Sequence, residues 1–175
     1  MTKTTRNAAV VVAIVMAGGA MARVDAAGTA GTHVRSSNPA LAGLIRQATE
    51  RSATFRGLVE VINASDGIVY VEQGDCGHGV RACLAAVAAA GSNRLLRVKV
   101  DTRKADWDLM GSIGHELQHV VEVLGDPSVT SSAAMYFFYT RKGRRGTTDA
   151  FETNAAVDAG HAVRTEVRRG AVHVR

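Results

Sequence analysis

Residues 112–125, SIGHELQHVVEVLG, set two histidines four positions apart around a glutamate, with apolar residues on either side. On a helix, His115 and His119 lie one turn above the other on the same face. The pattern from 106 to 124 is helical: Asp106 is an acidic opening residue, Gly125 a stop, and Pro127 lies just beyond. Met110, Ile113, Leu117, Val120, Val121 and Leu124 form a broad apolar side. Asp108, Ser112, His115, His119 and Glu122 fall on the other, so the two histidines are expected together on the face not committed to the core.

Two imidazoles at this spacing converge on one metal ion, and Glu116 projects toward the same region, where it can accept a proton from metal-activated water. This is the mechanical content of H-E-x-x-H: two ligands, one general base and an open coordination position. An amphipathic helix carrying two surface histidines is the simpler alternative. Three fixed positions match by accident at about the one-percent level in a chain of this length. The predicted helix and its apolar far side weigh further against accident.

A catalytic zinc needs a third protein ligand. Glu122 shares the histidine face but sits about 10 Å along the axis from His115, so three ligands in one row would not surround an ion. Orienting a histidine suits it better. Glu152, in DAFETNAAVDAG, is expected on a separate helix beginning near Thr148 or Asp149, from which it can approach the ion from another side. Asp149-x-x-Glu152 also resembles a capping box. His161 is the further candidate. Of the three, Glu152 is favoured. Tyr136, Tyr139 and His161 carry donors suited to an oxyanion, with Tyr139 the residue singled out, although MYFFY also fits a core aromatic cluster.

Working outward, the 175 residues are 46% hydrophobic and 21% charged, enough for one domain with a core. Residues 1–22 read as a secretory signal peptide: Lys3 and Arg6, an apolar run from Ala8 to Ala17, then Ala20-Met21-Ala22. No second segment of spanning length follows, so no transmembrane anchor is expected after cleavage. Residues 23–37 are small and polar and read as a flexible segment, leaving 38–175 as the folded domain. The net charge of +5 is mild and its basic pairs lack a stacking surface, so nucleic acid is not an expected partner. Cys76 and Cys83 are the only cysteines, and export favours pairing them. A second metal site of Cys76, His78 and Cys83 lacks a fourth ligand and finger-type spacing.

Asn38-Pro39 opens a helix whose Leu41, Leu44, Ile45 and Ala48 share one face. GLVEVINA and GIVYVEQ, separated by Ser65-Asp66-Gly67, read as an antiparallel hairpin. RACLAAVAAAG fits helix or strand; RLLRVKV alternates as a strand with one wet face. SVTSSAAMYFFYTRKG reads as a helix. Strands followed by helices indicate an α+β domain, a small mixed or antiparallel sheet ahead of the histidine helix and C-terminal helices.

IGHELQHVVEVLGDPSV followed by FETNAAVDAG resembles the gluzincin branch of the zincin metallopeptidases, in particular exported bacterial zincin-like proteins. The specific part runs from about Arg94 to Gly160. The resemblance implies that His115, His119 and Glu152 bind zinc, that Glu116 is the general base, and that a peptide or protein is the substrate of an enzyme exported to the periplasm or beyond. It also implies that RLLRVKV is a sheet-edge strand for substrate pairing. The chain departs from the metzincins, with Glu122 in their glycine position, and lacks the thermolysin-type third-ligand motif. A non-catalytic, exported zinc-binding or partner-binding domain on the same scaffold is the alternative.

Overall fold

Asn38 starts the helical part of the chain. Its side-chain oxygen accepts from the backbone N–H groups of Ala40 and Leu41, and Pro39 occupies the first turn of α1 (Pro39–Arg51). Leu41, Leu44, Ile45 and Ala48 are buried, as their spacing predicts. Ser52 then ends α1 and opens α2 (Ala53–Asn63), its hydroxyl accepting from Phe55 N at 2.9 Å. The computed structural model describes residues 31–77, 79–103, 107–142, 144–145 and 151–172. The expected signal peptide, His78, Asp106, Thr148 and Asp149 lie outside the described residues.

Helix α2 overturns the expected hairpin. Phe55, Leu58, Val59 and Ile62 are buried at helical spacing, whereas Val61 is exposed. The alternation within VEV is too short to set the period, and the buried face from Phe55 to Ile62, seven positions apart, decides it. Ser65-Asp66-Gly67 therefore joins a helix to a strand.

The main sheet contains β1 (Val34–Arg35), β2 (Gly67–Gln73), β3 (Ala82–Ala90) and β4 (Asn93–Val100), in the order β1-β2-β4-β3. β1 and β4 run parallel to β2, while β3 pairs antiparallel to β4. β1 falls inside the stretch expected to be flexible, yet Val34 is buried and His33 O accepts from Val69 N at 2.8 Å. The alanine-rich run forms strand β3, its pairing with β4 overriding the helix preference of alanine. Leu96, Val98 and Val100 of β4 are completely buried. β4 lies between β2 and β3, so the edge strand beside the helices is β3, not RLLRVKV.

Helix α3 (Trp107–Leu124) carries the two histidines as expected. It is followed by α4 (Ser132–Lys142), a small antiparallel pair β5 (Arg144–Arg145) and β6 (Phe151–Glu152), and α5 (Asn154–Val172). Thr153 caps α5: its hydroxyl accepts from Ala156 N and its carbonyl from Val157 N, both at 3.1 Å. Glu152 consequently sits on β6, one residue before that cap, and not within a helix. The α+β architecture agrees with the order of elements in the sequence.

Two polar ties hold the helices to the sheet and to each other. Arg94, at the start of β4, is 5% exposed. Its guanidinium grips both Asp66 carboxylate oxygens at 2.8 Å and donates to the carbonyls of Val123, Leu124 and Asp126. A cation thus satisfies the terminal carbonyls of α3, where the helix dipole is negative. At the other tie, Glu166 of α5 accepts from Ser52 Oγ at 2.6 Å, Thr54 N at 3.0 Å and Thr54 Oγ1 at 2.8 Å. Burial pushes the Glu166 carboxyl up, but the hydrogen bonds from Ser52 and Thr54 outweigh it and leave the pKa lowered.

A lowered folded-state pKa contributes stability above the unfolded value that is lost as pH falls through the folded one. Glu166→Gln is therefore expected to cost about 1–2 kcal/mol at pH 7. The gap between variant and wild type should close progressively below about pH 4.3. Urea denaturation at pH 7 and pH 3 checks this, and a pH-independent gap would contradict it.

Candidate metal centre

Three glycines bring α5 against the histidine helix. A Cβ on Gly111 would lie 3.0 Å from Gly160 O, one on Gly114 2.8 Å from Val163 Cγ2, and one on Gly160 3.1 Å from His115 Cβ. The two helices touch where no side chain separates them. Because Glu152 immediately precedes the cap of α5, this close approach also delivers its carboxylate to His115.

The ligand atoms of His115, His119 and Glu152 all lie within 4.8 Å of one another. His115 Nε2 is 3.2 Å from Glu152 Oε2, and the two imidazole rings meet edge to face with centroids 4.9 Å apart. Glu152 Oε2 is buried and has no hydrogen-bond partner among the described residues. A buried carboxylate oxygen facing imidazole nitrogens, without an aligned hydrogen bond, is an arrangement that a cation completes. Two imidazoles and one carboxylate form a divalent-metal donor set. The contact with His115 holds the Glu152 carboxyl below its usual range. Burial disfavours the charged form of His115, but Glu152, Glu116 and Glu122 together raise its pKa.

Glu116 is 6% exposed and has its Oε2 fixed by Leu84 N of β3 at 2.7 Å. Its Oε1 lies 3.9 Å from His115 Nε2, which turns the second oxygen toward the metal-binding atoms. Burial raises its pKa, opposed by the two imidazoles and the Leu84 N–H. The face expected to be uncommitted is in fact half-covered: His119 is 5% exposed.

Glu122 is not part of the triad. Its Oε2 lies 3.0 Å from His119 Nδ1, so Nδ1 carries the proton and Nε2 is left for a metal. Its Oε1 accepts from the Thr153 hydroxyl at 2.6 Å, linking His119 to the residue beside Glu152. Burial raises the Glu122 pKa, but hydrogen bonds from His119, Thr153 and Tyr139 bring it below the usual value. Tyr139 donates to His119 O at 3.0 Å, stands 3.3 Å from Glu122 Oε2, and stacks on Phe151 beside Glu152. Its one hydroxyl proton is engaged within the protein, which positions His119 and does not offer the cleft the oxyanion donor expected there. His161 is exposed on α5, contacts Arg164, and lies outside the triad.

No protein-family model, curated protein or solved structure matches this chain. Geometry alone therefore carries the reading of the site: an H-E-x-x-H helix with a distal glutamate, consistent with the gluzincin arrangement. Sequence reasoning missed Thr153, the Leu84 N–H and the three glycines. The glycines left a signal in the spacing of MGSIGHE and DAGHA, small residues one turn apart. Also absent from it was Arg164, whose stem lies against Gly111.

At Gly114, helix propensity favours alanine by about 1 kcal/mol, whereas overpacking costs about 1–3 kcal/mol. Val163 is fully buried and β-branched, so it cannot turn aside. Gly114→Ala should therefore destabilise the protein in a denaturant titration; a gain would place the helices farther apart. Glu122→Gln should weaken metal affinity by about 10–100-fold, read by competition with a chromophoric chelator.

Proposed function

We propose that this protein is an exported zinc metallopeptidase. The observation carrying the reading is the convergence of His115, His119 and Glu152 beside a desolvated Glu116. A scaffold that only held a metal would gain nothing from burying a second, uncoordinating carboxylate at this place, since burial of that group is costly. This favours hydrolysis over the non-catalytic reading.

His115, His119 and Glu152 would hold the zinc. When bound, zinc supplies Lewis acidity, lowering the pKa of water toward neutrality and polarising a carbonyl. Glu116 takes the proton from the attacking water on Oε1, while the Leu84 N–H keeps Oε2 in place, and then passes the proton to the leaving amine. Glu122 fixes the His119 tautomer throughout. Tyr136 and His161 border the open cleft from its two sides and are two candidate donors to a developing oxyanion.

Substrate pairing belongs to β3, the edge strand. Val80, Ala82, Leu84 and Ala85 line the cleft, and the far end of the strand is closed by contacts of Val87 and Ala88 with Ser132 and Ser131. An extended peptide backbone suits such an edge. The Cys76–Cys83 disulfide closes the loop leading into β3 and supports an oxidising compartment, periplasmic or extracellular. Among the described residues no helix is long and apolar enough to cross a membrane.

Metal analysis of the purified protein tests the site. His119→Ala and Glu152→Ala should lose zinc, Glu122→Ala should retain it with weakened affinity, and Glu116→Gln should retain it while peptide turnover falls about 10²–10⁴-fold. Zinc kept by Glu152→Ala but lost by Glu122→Ala would overturn the ligand set. Undiminished turnover in Glu116→Gln would overturn the mechanism.

A further inference from the structure

The cleft has two unlike lobes that share Val80, Ala82, Glu116 and Glu152 as their common boundary. One, of about 290 Å³, is lined beyond His115 by Arg81, Ser112, His161 and Arg164. The other, of about 340 Å³, is lined by Leu84, Met135, Tyr136 and Phe151. The metal-binding atoms lie where the lobes meet. A substrate reaching across them must therefore present different chemistry to each side.

Resting on the hydrolase reading above, we infer that this cleft selects peptides with a carboxylate on the C-terminal side of the cleaved bond and a large apolar residue on the N-terminal side. The carboxylate is either an acidic side chain or the free end of the peptide.

Arg164 is the principal determinant. Its Nε forms an ion pair with Asp108 Oδ1 at 2.8 Å without hydrogen-bond alignment, and its Nη1 lies 3.3 Å from His161 Nδ1, which leaves Nη2 without a partner among the described residues. These two contacts bias the direction of the guanidinium before any ligand arrives, which favours recognition of a carboxylate by arginine. Asp108 does not line the lobe; it steadies the arginine from outside. Among the described residues Glu116 and Glu152 are the carboxylates lining it, and both belong to the proposed reaction centre, while Arg81 and Arg164 are the cationic side chains in its wall.

The strand direction supplies the polarity. The segment from Val80 to Ala82 borders the basic lobe, while Leu84 and Ala85 border the apolar one alone. A peptide laid antiparallel to β3, the more stable pairing, runs from Leu84 toward Val80. Its C-terminal half then enters the basic lobe.

Equilibrium binding to the zinc-loaded Glu116→Gln protein tests the inference without requiring turnover. Three fluorescent peptides share an aromatic residue and differ downstream: one has a glutamate and an amidated end, one a neutral sequence with a free carboxylate, and one is neutral and amidated. At least one carboxylate peptide should bind about fivefold tighter than the neutral amide, an advantage that shrinks with added salt. Which of the two does so identifies the source of the carboxylate. Adding Arg164→Gln should remove the advantage, and Arg81→Gln, acting through a different wall, should reduce it if the first variant does not fold. Equal binding of all three peptides, or a ranking that survives both substitutions, overturns the proposal. Wild-type cleavage without this ranking would leave the hydrolase reading standing, whereas the ranking without cleavage would remove that reading and leave the recognition.

Discussion

The contact between α3 and α5 is the constraint on which the site depends. Two imidazoles on one helix define only one side of a metal, and the third ligand must come from another element. Here it comes from the residue preceding the cap of α5, so its position is set by how closely that helix can approach. Gly111, Gly114 and Gly160 set that distance, since a Cβ at any of them would meet atoms at 2.8 to 3.1 Å. Packing between two helices and coordination chemistry are thus the same geometric fact seen from two ends.

Around this contact the polar groups form one connected system. Thr153 caps α5 and also donates to Glu122, Glu122 orients His119, and Tyr139 joins the His119 backbone to the aromatic stack on Phe151. Each of these groups is partly or fully buried, and each finds a partner, as interior polar groups must. Glu116 is held from the opposite direction, by the edge strand. The site is therefore supported by α3, α5, the β6 strand and β3 together, and a change in any one of them reaches the ligands.

Much of this was legible in the sequence, though unevenly. The period of apolar residues from Met110 to Leu124 fixed α3, and with it His115, Glu116 and His119. Asn38-Pro39 marked the start of α1 through capping chemistry that is local to a few residues. Glu152 was identified on chemical grounds but assigned to a helix, because Thr148 and Asp149 offer a capping pattern as plausible as Thr153 does. The choice is made by the pairing of Phe151 and Glu152 with Arg145 and Arg144, which no local pattern announces. The hairpin read into GLVEVINA failed for a related reason: the brief alternation Val59-Glu60-Val61 carries little information about period when a helical face spans Phe55 to Ile62. The crossover that puts β4 inside the sheet and β3 at its edge is non-local, and sequence alone left the edge strand misplaced.

The clamp of Arg94 on the last carbonyls of α3 has a mechanical corollary. It fastens the C-terminal end of that helix to the β2 turn through Asp66, whereas the N-terminal end begins at Trp107, itself 39% exposed with Arg168 over its ring. The other end is tied to α5, by the Asp108–Arg164 ion pair at 2.8 Å and by the approach of Gly111 to Gly160. His115 and His119 ride between these two anchors on a single helix, so whatever shifts that helix carries both imidazoles together and leaves their mutual spacing unchanged.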